Sequence, residues 1–251
     1  MTTRELLNKV LRGLRQYSLL IDDGTTSVSD DYILMLLQML NEAKEECEEV
    51  GWPWMALRRT VTVTLDTRSS AEYTLTAAED ADIDTNDRSQ LLYETVTVHG
   101  REEAFRNSDR ALPMVFDVTD SSEERLRELT QEQMERYHFQ DNGETGQPVY
   151  FSLWHDGNSL KMKIWPVSDG SYTLKLRVYI PQDELDSEDL TTELSIPSRP
   201  VYLKALLKAN AERGEELGRP GGELERAFLD ALGTATGREM TKMDSTVYLE
   251  D

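Results

Sequence analysis

Three histidines, His99, His138 and His155, and a single cysteine, Cys47, are the residues of this 251-residue chain best suited to nucleophilic, acid–base or metal chemistry. Their spacing gives that chemistry no anchor. The histidines lie far apart and none belongs to an HExxH pattern. His155 precedes Asp156, an arrangement that more often makes a surface hydrogen bond than a catalytic dyad. Cys47 stands in Glu45-Glu46-Cys47-Glu48-Glu49, where neighbouring carboxylates oppose a thiolate, so it reads as a small helix residue in a reducing cytoplasm.

Carboxylates at alternating positions in Asp80-Ala81-Asp82-Ile83-Asp84-Thr85-Asn86-Asp87 imitate the start of a calcium loop. The sixth position is Thr85 rather than Gly and the twelfth is Leu91 rather than Glu, so the expectation is a solvated acidic loop with no dedicated metal site. GxGxxG, GxxxxGK, GxSxG and CxxC motifs are all missing, and no catalytic residue, cofactor or enzymatic activity is expected. A carboxylate-based hydrolase has only the abundance of Asp and Glu in its favour.

Charge narrows the partners. Against 48 acidic residues stand 27 basic ones, a formal charge of −21, and no basic cluster is longer than Arg58-Arg59. Tight capture of DNA or RNA needs clustered phosphate-neutralising side chains, which argues against a nucleic-acid binder. The N-terminus lacks a basic-then-apolar signal, and no apolar run approaches the length of a span, so neither export nor a membrane is expected. Arg4, Arg12 and Arg15 lie near one polar face of the first helix, where they either grip an acidic neighbour or stay solvated. Trp52-Pro53-Trp54 reads as an aromatic plug between a helix and a strand rather than as a recognition surface.

The elements that must position these residues follow from periodicity. Thr2-Thr3-Arg4-Glu5 has the form of a capping box, and Leu6, Leu7, Val10, Leu11 and Leu14 then recur at helical spacing. A second helix, capped by Ser29 or Asp30, carries Ile33, Leu36, Leu37, Leu40, Ala43 and Cys47 on one face and stops at Gly51 and Pro53. From residue 60 the period becomes two: Val61, Val63 and Leu65, then Thr95-Val96-Thr97-Val98, Leu160 to Ile164, and Tyr172 to Val178. The last two flank Pro166-Val167-Ser168-Asp169-Gly170 and are expected to form an antiparallel hairpin. Ser121-Ser122-Glu123-Glu124 predicts a helix carrying Leu126, Leu129 and Met134. After Pro197, Tyr202, Ala205, Leu206 and Ala209 mark one helix, and Leu224, Ala227, Phe228, Ala231 and Leu232 another.

The expected class is α+β: a helical bundle built from both chain ends, residues 1–59 and 198–233, with an inserted antiparallel β-rich, sandwich-like domain over 60–197. Residues 234–251 read as an extended C-terminal arm, whose Val247-Tyr248-Leu249 can pair as a strand or fill a neighbour's groove.

This order of elements resembles the head-to-tail adaptor (connector) proteins of tailed bacteriophages, the portal-adaptor group that includes the tail tubular protein A of short-tailed phages. The phrases that carry the resemblance are the leucine-rich first helix, Gly51-Trp52-Pro53-Trp54, Thr60-Val61-Thr62-Val63-Thr64 and Tyr73-Thr74-Leu75, then Leu160-Lys161-Met162-Lys163-Ile164-Trp165-Pro166 and Asp169-Gly170-Ser171-Tyr172-Thr173-Leu174. They span most of residues 1–232, with 76–148 the least matched. The resemblance implies a structural virion protein without catalytic residues, forming a homo-oligomeric ring, a dodecamer matching portal symmetry, in the virion neck after assembly in the host cytoplasm. Its implied partners are other copies of itself, the portal protein, a tail or nozzle protein, and genomic DNA that passes without specific binding. Arg4, Arg12, Arg15, Val247, Tyr248 and Leu249 are the candidate partner-binding residues. A tail completion or baseplate protein is the alternative within virion proteins.

Overall fold

A computed structural model describes residues 1–49, 54–67, 71–95, 111–119, 124–140, 144–214 and 219–246. In chain order the helices are α1 (Thr3–Gly13), α2 (Asp31–Glu49), α3 (Gln131–Gln140), α4 (Ser198–Glu212) and α5 (Arg219–Thr246). The strands are β1 (Arg58–Leu65), β2 (Glu72–Thr74), β3 (Gln90–Leu91), β4 (Tyr93–Thr95), β5 (Ala111–Pro113), β6 (Val115–Asp117), β7 (Glu124–Arg125), β8 (Arg127–Glu128), β9 (Tyr150–Asp156), β10 (Ser159–Trp165) and β11 (Tyr172–Tyr179). The fold is α+β, with five α-helices, two larger antiparallel-rich sheets and a two-stranded β4-β5 sheet among the described residues. The chain divides into two compact units, Met1–Leu57 with Gln182–Asp251, and Arg58–Pro181.

In the helical unit α1 starts at the capping box: the Thr2 hydroxyl accepts from the Glu5 N–H at 3.3 Å, and the Glu5 carboxylate accepts from the Thr2 N–H at 2.9 Å. Its far end closes by donation from the Gln16 N–H to the Leu11 carbonyl and from the Arg15 N–H to the Arg12 carbonyl, with Arg15 at φ 59°. That is a Schellman closure with arginine where glycine is favoured. Asp30 caps α2, its carboxylate accepting from the Tyr32 and Ile33 N–H groups at 3.0 and 3.1 Å. Leu6, Leu7, Val10, Leu11, Leu36, Leu37, Leu40, Ala43, Val201, Ala205 and Leu206 are buried where α1, α2 and α4 pack, and α5 packs on α4 through Phe228, Ala231, Leu232 and Ala235.

Two domain boundaries differ from those expected. Residues 182–197 belong to the helical unit rather than to the β-rich one. They lack periodicity, but their backbone is bonded to α1 and to the loop before α2: Thr3 N–H donates to Thr192 O, Arg4 N–H to Leu190 O, and Val28 N–H to Ser187 O. Residues 234–246 continue α5 instead of forming an extended arm. The threonines that suggested an arm donate back into the helix, Thr236 to Leu232 O and Thr241 to Gly237 O, so their hydroxyls do not compete with it. Residues 247–251 of the arm lie outside the described residues.

In the β-rich unit one sheet has the order β1-β11-β6-β7, with β3 also on β11, and a second has the order β2-β10-β9-β8. The expected β10/β11 hairpin does not form, because the two strands belong to different sheets. Pro166, which has no N–H, ends the β10 ladder, and Val167 instead accepts from the Gly146 N–H at 2.9 Å. The partner of β10 is β9, joined through a two-residue turn with Gly157 at φ 63°, the first position of the tight turns that demand glycine. The helix expected from Ser121 is also displaced. Residues 124–128 pair as β7 and β8 with β6 and β9, and α3 starts nine residues later at a second capping box, in which Thr130 and Gln133 exchange side-chain bonds to each other's N–H. Val61, Val63, Leu65, Leu174 and Leu176 of the first sheet and Tyr73, Phe151, Met162 and Ile164 of the second form one buried cluster.

Candidate interaction surfaces

The residues chosen for chemistry have structural duties. Asp80, Asp82 and Asp84 are not merely solvated: they accept from the backbone N–H groups of Thr74 (2.9 Å), Thr62 (2.6 Å) and Ala77 (2.8 Å). Between them and β10, the buried Thr85 hydroxyl donates to Leu75 O at 2.7 Å and accepts from Leu160 N–H at 2.9 Å. The alternating carboxylates therefore staple an irregular loop. The described histidines bond to carbonyls, His138 Nε2 to Ile164 O at 3.2 Å and His155 Nε2 to Ser89 O at 2.8 Å; His99 lies outside the described residues. Among the described residues no three His, Cys, Asp or Glu side chains converge as a metal site. Burial, aided by Glu46 and Glu48, pushes the Cys47 thiol up to about 12, so it is protonated and unreactive at neutral pH.

Of the candidate partner residues, Arg4 is already engaged: it pairs with Asp23 at 3.7 Å and reaches Thr25 O at 3.5 Å. Arg12 and Arg15 are exposed, with no side-chain partner among the described residues, and Tyr17 beside them is 65% exposed. Val247, Tyr248 and Leu249 lie outside the described residues, as do Trp52 and Pro53. Trp54 is buried in the helical unit, its indole N–H donating to Cys47 O at 3.1 Å.

Sequence reading missed a buried ion pair. Lys44, fully buried, donates to the carbonyls of Gln182 and Asp183 and stands 3.8 Å from Glu48, whose carboxylate accepts from the Gln182 N–H at 3.3 Å. The i,i+4 spacing was visible, but a run of charges more often marks a wet face. Nearby, Asn41 pairs both backbone groups of Leu185, accepting at 2.8 Å and donating at 3.1 Å, and Asn8 does the same for Ile21 at 2.8 and 2.9 Å. Lys208 meets Glu42 and Glu46 at 2.8 and 2.7 Å, and Lys204 meets Glu46 at 2.7 Å, tying α2 to α4. For Glu46, partial burial works against the charge, but Lys204 and Lys208 outweigh it and hold the carboxyl below its ordinary value.

The outward side of α2 carries two open grooves that share Gln38 and Glu42. One, of about 500 Å3, has Leu34, Leu37 and Leu185 among its lining and Glu42, Glu45, Glu184 and Asp186 as its only ionisable groups. The other, of about 520 Å3, is lined by Met35, Met39, Ala211 and Glu212 with Lys208. On the β-rich unit Tyr137 of α3 stacks on Tyr150 and meets Trp165 at a tilt, with ring centroids 5.7 and 4.8 Å apart, while Phe139 stands 89% exposed. No described helix is long and apolar enough to cross a membrane. Compared with known proteins, the chain matches no protein-family model and no curated sequence.

Proposed function

We propose that this chain is a non-enzymatic virion subunit, the head-to-tail adaptor of a tailed bacteriophage, assembling as a closed ring between the portal and the tail in the virion neck. The observation that carries the reading is the discontinuous helical unit: both ends of the chain contribute to it and a β-rich unit is inserted between them, the order of elements on which the resemblance rests. In this reading α1, α2, α4 and α5 act as a bundle, the two sheets act as a sandwich around their shared core, and the bundle meets neighbouring subunits and the portal. The β-rich unit turns outward or toward the tail.

The acidity fits such a role. A ring repeats one charge pattern in every copy, and a lumen of that sign repels the DNA backbone, so the genome passes without sticking. A portal-symmetric ring is a dodecamer of heterologous, head-to-tail contacts. Electron microscopy of particles, with quantitative mass spectrometry of subunit copies, tests the reading. The expected result is a ring of this chain at the neck. A single copy per particle, or a position in the baseplate, refutes it, the latter in favour of a baseplate or tail completion protein.

A further inference from the structure

Strand alternation gives the sheet β1-β11-β6-β7 two faces, and the one turned away from the buried cluster collects cations that lie far apart in the sequence. We propose that this face is a sequence-independent contact site for the phosphate backbone of duplex DNA, with Lys175 and Arg177 at its centre and Arg58 and Arg125 at its flanks. The inference goes beyond the ring reading and does not depend on it.

Val61, Val63 and Leu65 of β1 and Leu174, Leu176 and Val178 of β11 are buried, so Arg58, Thr60, Thr62, Lys175 and Arg177 stand on the opposite side. Lys175 and Arg177 are exposed. The register sets Thr60 opposite Arg177 and Thr62 opposite Lys175; on the other flank of β11, Phe116 is opposite Lys175 and Arg125 opposite Phe116. At backbone level strand geometry separates Lys175 from Arg177 by about 7 Å, Arg58 from Arg177 by about 8 Å on the diagonal, and Arg125 from Lys175 by about 10 Å across two strand spacings. The four form an oblique track, and none of the described residues at the outward ladder positions is Asp or Glu. Asp82 approaches from the edge of β1, but its carboxylate is occupied by the Thr62 N–H at 2.6 Å.

Partial burial and, after it, the charge of Arg177 hold the Arg58 guanidinium below its ordinary pKa, so two like charges stand close in the free chain and an anion between them relieves the repulsion. Each central cation has a threonine directly across the ladder, a pairing of charged and neutral donors that repeats along the strand and suits phosphate oxygens repeated along a polymer. Phe116 lies between Lys175 and Arg125 with the Arg125 guanidinium 5.0 Å from its ring centroid, so that ring face is covered and withheld from base stacking. This favours a duplex backbone over an unstacked single strand. In the sequence no basic cluster is longer than Arg58-Arg59; the ladder makes one from residues 58, 125, 175 and 177. The net charge of −21 repels the same polymer, so contact confined to four cations is weak and readily reversed, compatible with DNA that slides past.

Four neutralised phosphates give a slope of about −3.6 in log K against log salt, a loss of roughly a hundredfold between about 50 and about 200 mM. Fluorescence anisotropy of the full chain with two labelled duplexes of unrelated sequence, each of about 30 base pairs, tests the site over that salt range. The wild type should bind both equally at low salt and show that slope. Lys175→Gln/Arg177→Gln should bind at least about tenfold more weakly at low salt and flatten the slope by about 2, because two phosphate contacts are gone. Lys161→Gln/Lys163→Gln makes the same change in net charge on the other sheet, where Lys161 pairs with Asp156 and Lys163 with Glu72, and should stay within about twofold of the wild type. Circular dichroism melts check that both variants fold. A wild type that ignores both duplexes at low salt overturns the site, and so does an equal loss in the two variants, which would show net charge alone acting. Labelled poly-L-glutamate bound at least as tightly as the duplex, through the same two side chains, also overturns it, in favour of an acidic protein partner. Each of these results leaves the ring reading standing, whereas particles without a neck ring refute that reading and leave DNA binding by this face intact.

Discussion

Replacing Lys44 by Met is the most informative single perturbation of the helical unit. The ammonium is fully buried and donates to two consecutive carbonyls, Gln182 O and Asp183 O, with Glu48 at 3.8 Å. Methionine preserves much of the side-chain volume but leaves the Glu48 carboxylate buried with the Gln182 N–H as a donor, and it removes a donor from both carbonyls. Stranding one partner of a buried pair costs about 3–5 kcal/mol. At roughly 2–4 °C per kcal/mol for a chain of this size, the midpoint should fall by about 10 °C. The double variant Lys44→Met/Glu48→Leu removes the stranded charge as well, so it should recover part of that loss and keep a deficit of about 1–3 kcal/mol from the carbonyls. Urea titrations followed by circular dichroism at the helical band give the three stabilities in the order wild type, double, single. A single variant within 1 kcal/mol of wild type, or a double no better than the single, would falsify the assignment of Lys44 and Glu48 as a coupled clamp on residues 182–183, judged against a buried-pair cost of about 3–5 kcal/mol.

Asn41→Leu should cost about 1–3 kcal/mol and speed hydrogen exchange at the Leu185 amide, which the Asn41 carbonyl now accepts at 2.8 Å. Arg15→Gly should raise stability by up to about 1 kcal/mol by relieving its positive φ, read as a higher midpoint in thermal melts. Because Lys204 and Lys208 depress the Glu46 pKa, that carboxylate contributes stability above its ordinary value of 4.5 and loses it as pH falls through the lower folded value; Glu46→Gln should flatten this acid limb in pH-dependent melts. Cys47 behaves with the opposite slope: its folded thiol holds its proton to about 12 against an ordinary 9.0, so it destabilises as pH climbs through that window, and thiol reagents should label it at neutral pH only after denaturant is added.

Elements with a strong period were legible. The capping box at Thr2, the buried stripe of α2, the alternation of β1 and β11 and the stripe of α4 all follow from side-chain patterns that one buried face imposes. Pairing was not legible, because alternation tells which face is buried and not which strand lies alongside. Thus β10 and β11 alternate cleanly on either side of a turn-rich segment, yet they join different sheets. The capping-box sequence at Ser121 placed a helix too early: the sheet claims residues 124–128, and α3 starts at the box of Thr130, which the sequence reading did not name. Residues 182–197 carry no period at all, since their place is fixed by backbone bonds and by Asn41 and Lys44. The α1 arginines could be named from the wheel, but only three-dimensional placement separates Arg4, spent on Asp23, from Arg12 and Arg15. The α2 groove was invisible because it is made jointly with residues 184–187, remote in sequence.

The way β1 and β11 lie side by side from Arg58 opposite Tyr179 to Leu65 opposite Tyr172 has a mechanical consequence. The first and last strands of the β-rich unit are direct neighbours with their outer ends at the same end of the ladder. Tension applied through those ends therefore opens the ladder one rung at a time, as a zipper opens, instead of sliding all its hydrogen bonds at once. A unit joined in this way is a poor transmitter of pulling force, and its resistance to sudden strain comes from its packed interior rather than from its strand pairing. The same closeness of its ends makes it a cassette: residues 58–181 can be lifted out and the gap bridged by a few residues, because neighbouring antiparallel strands stand only about 5 Å apart.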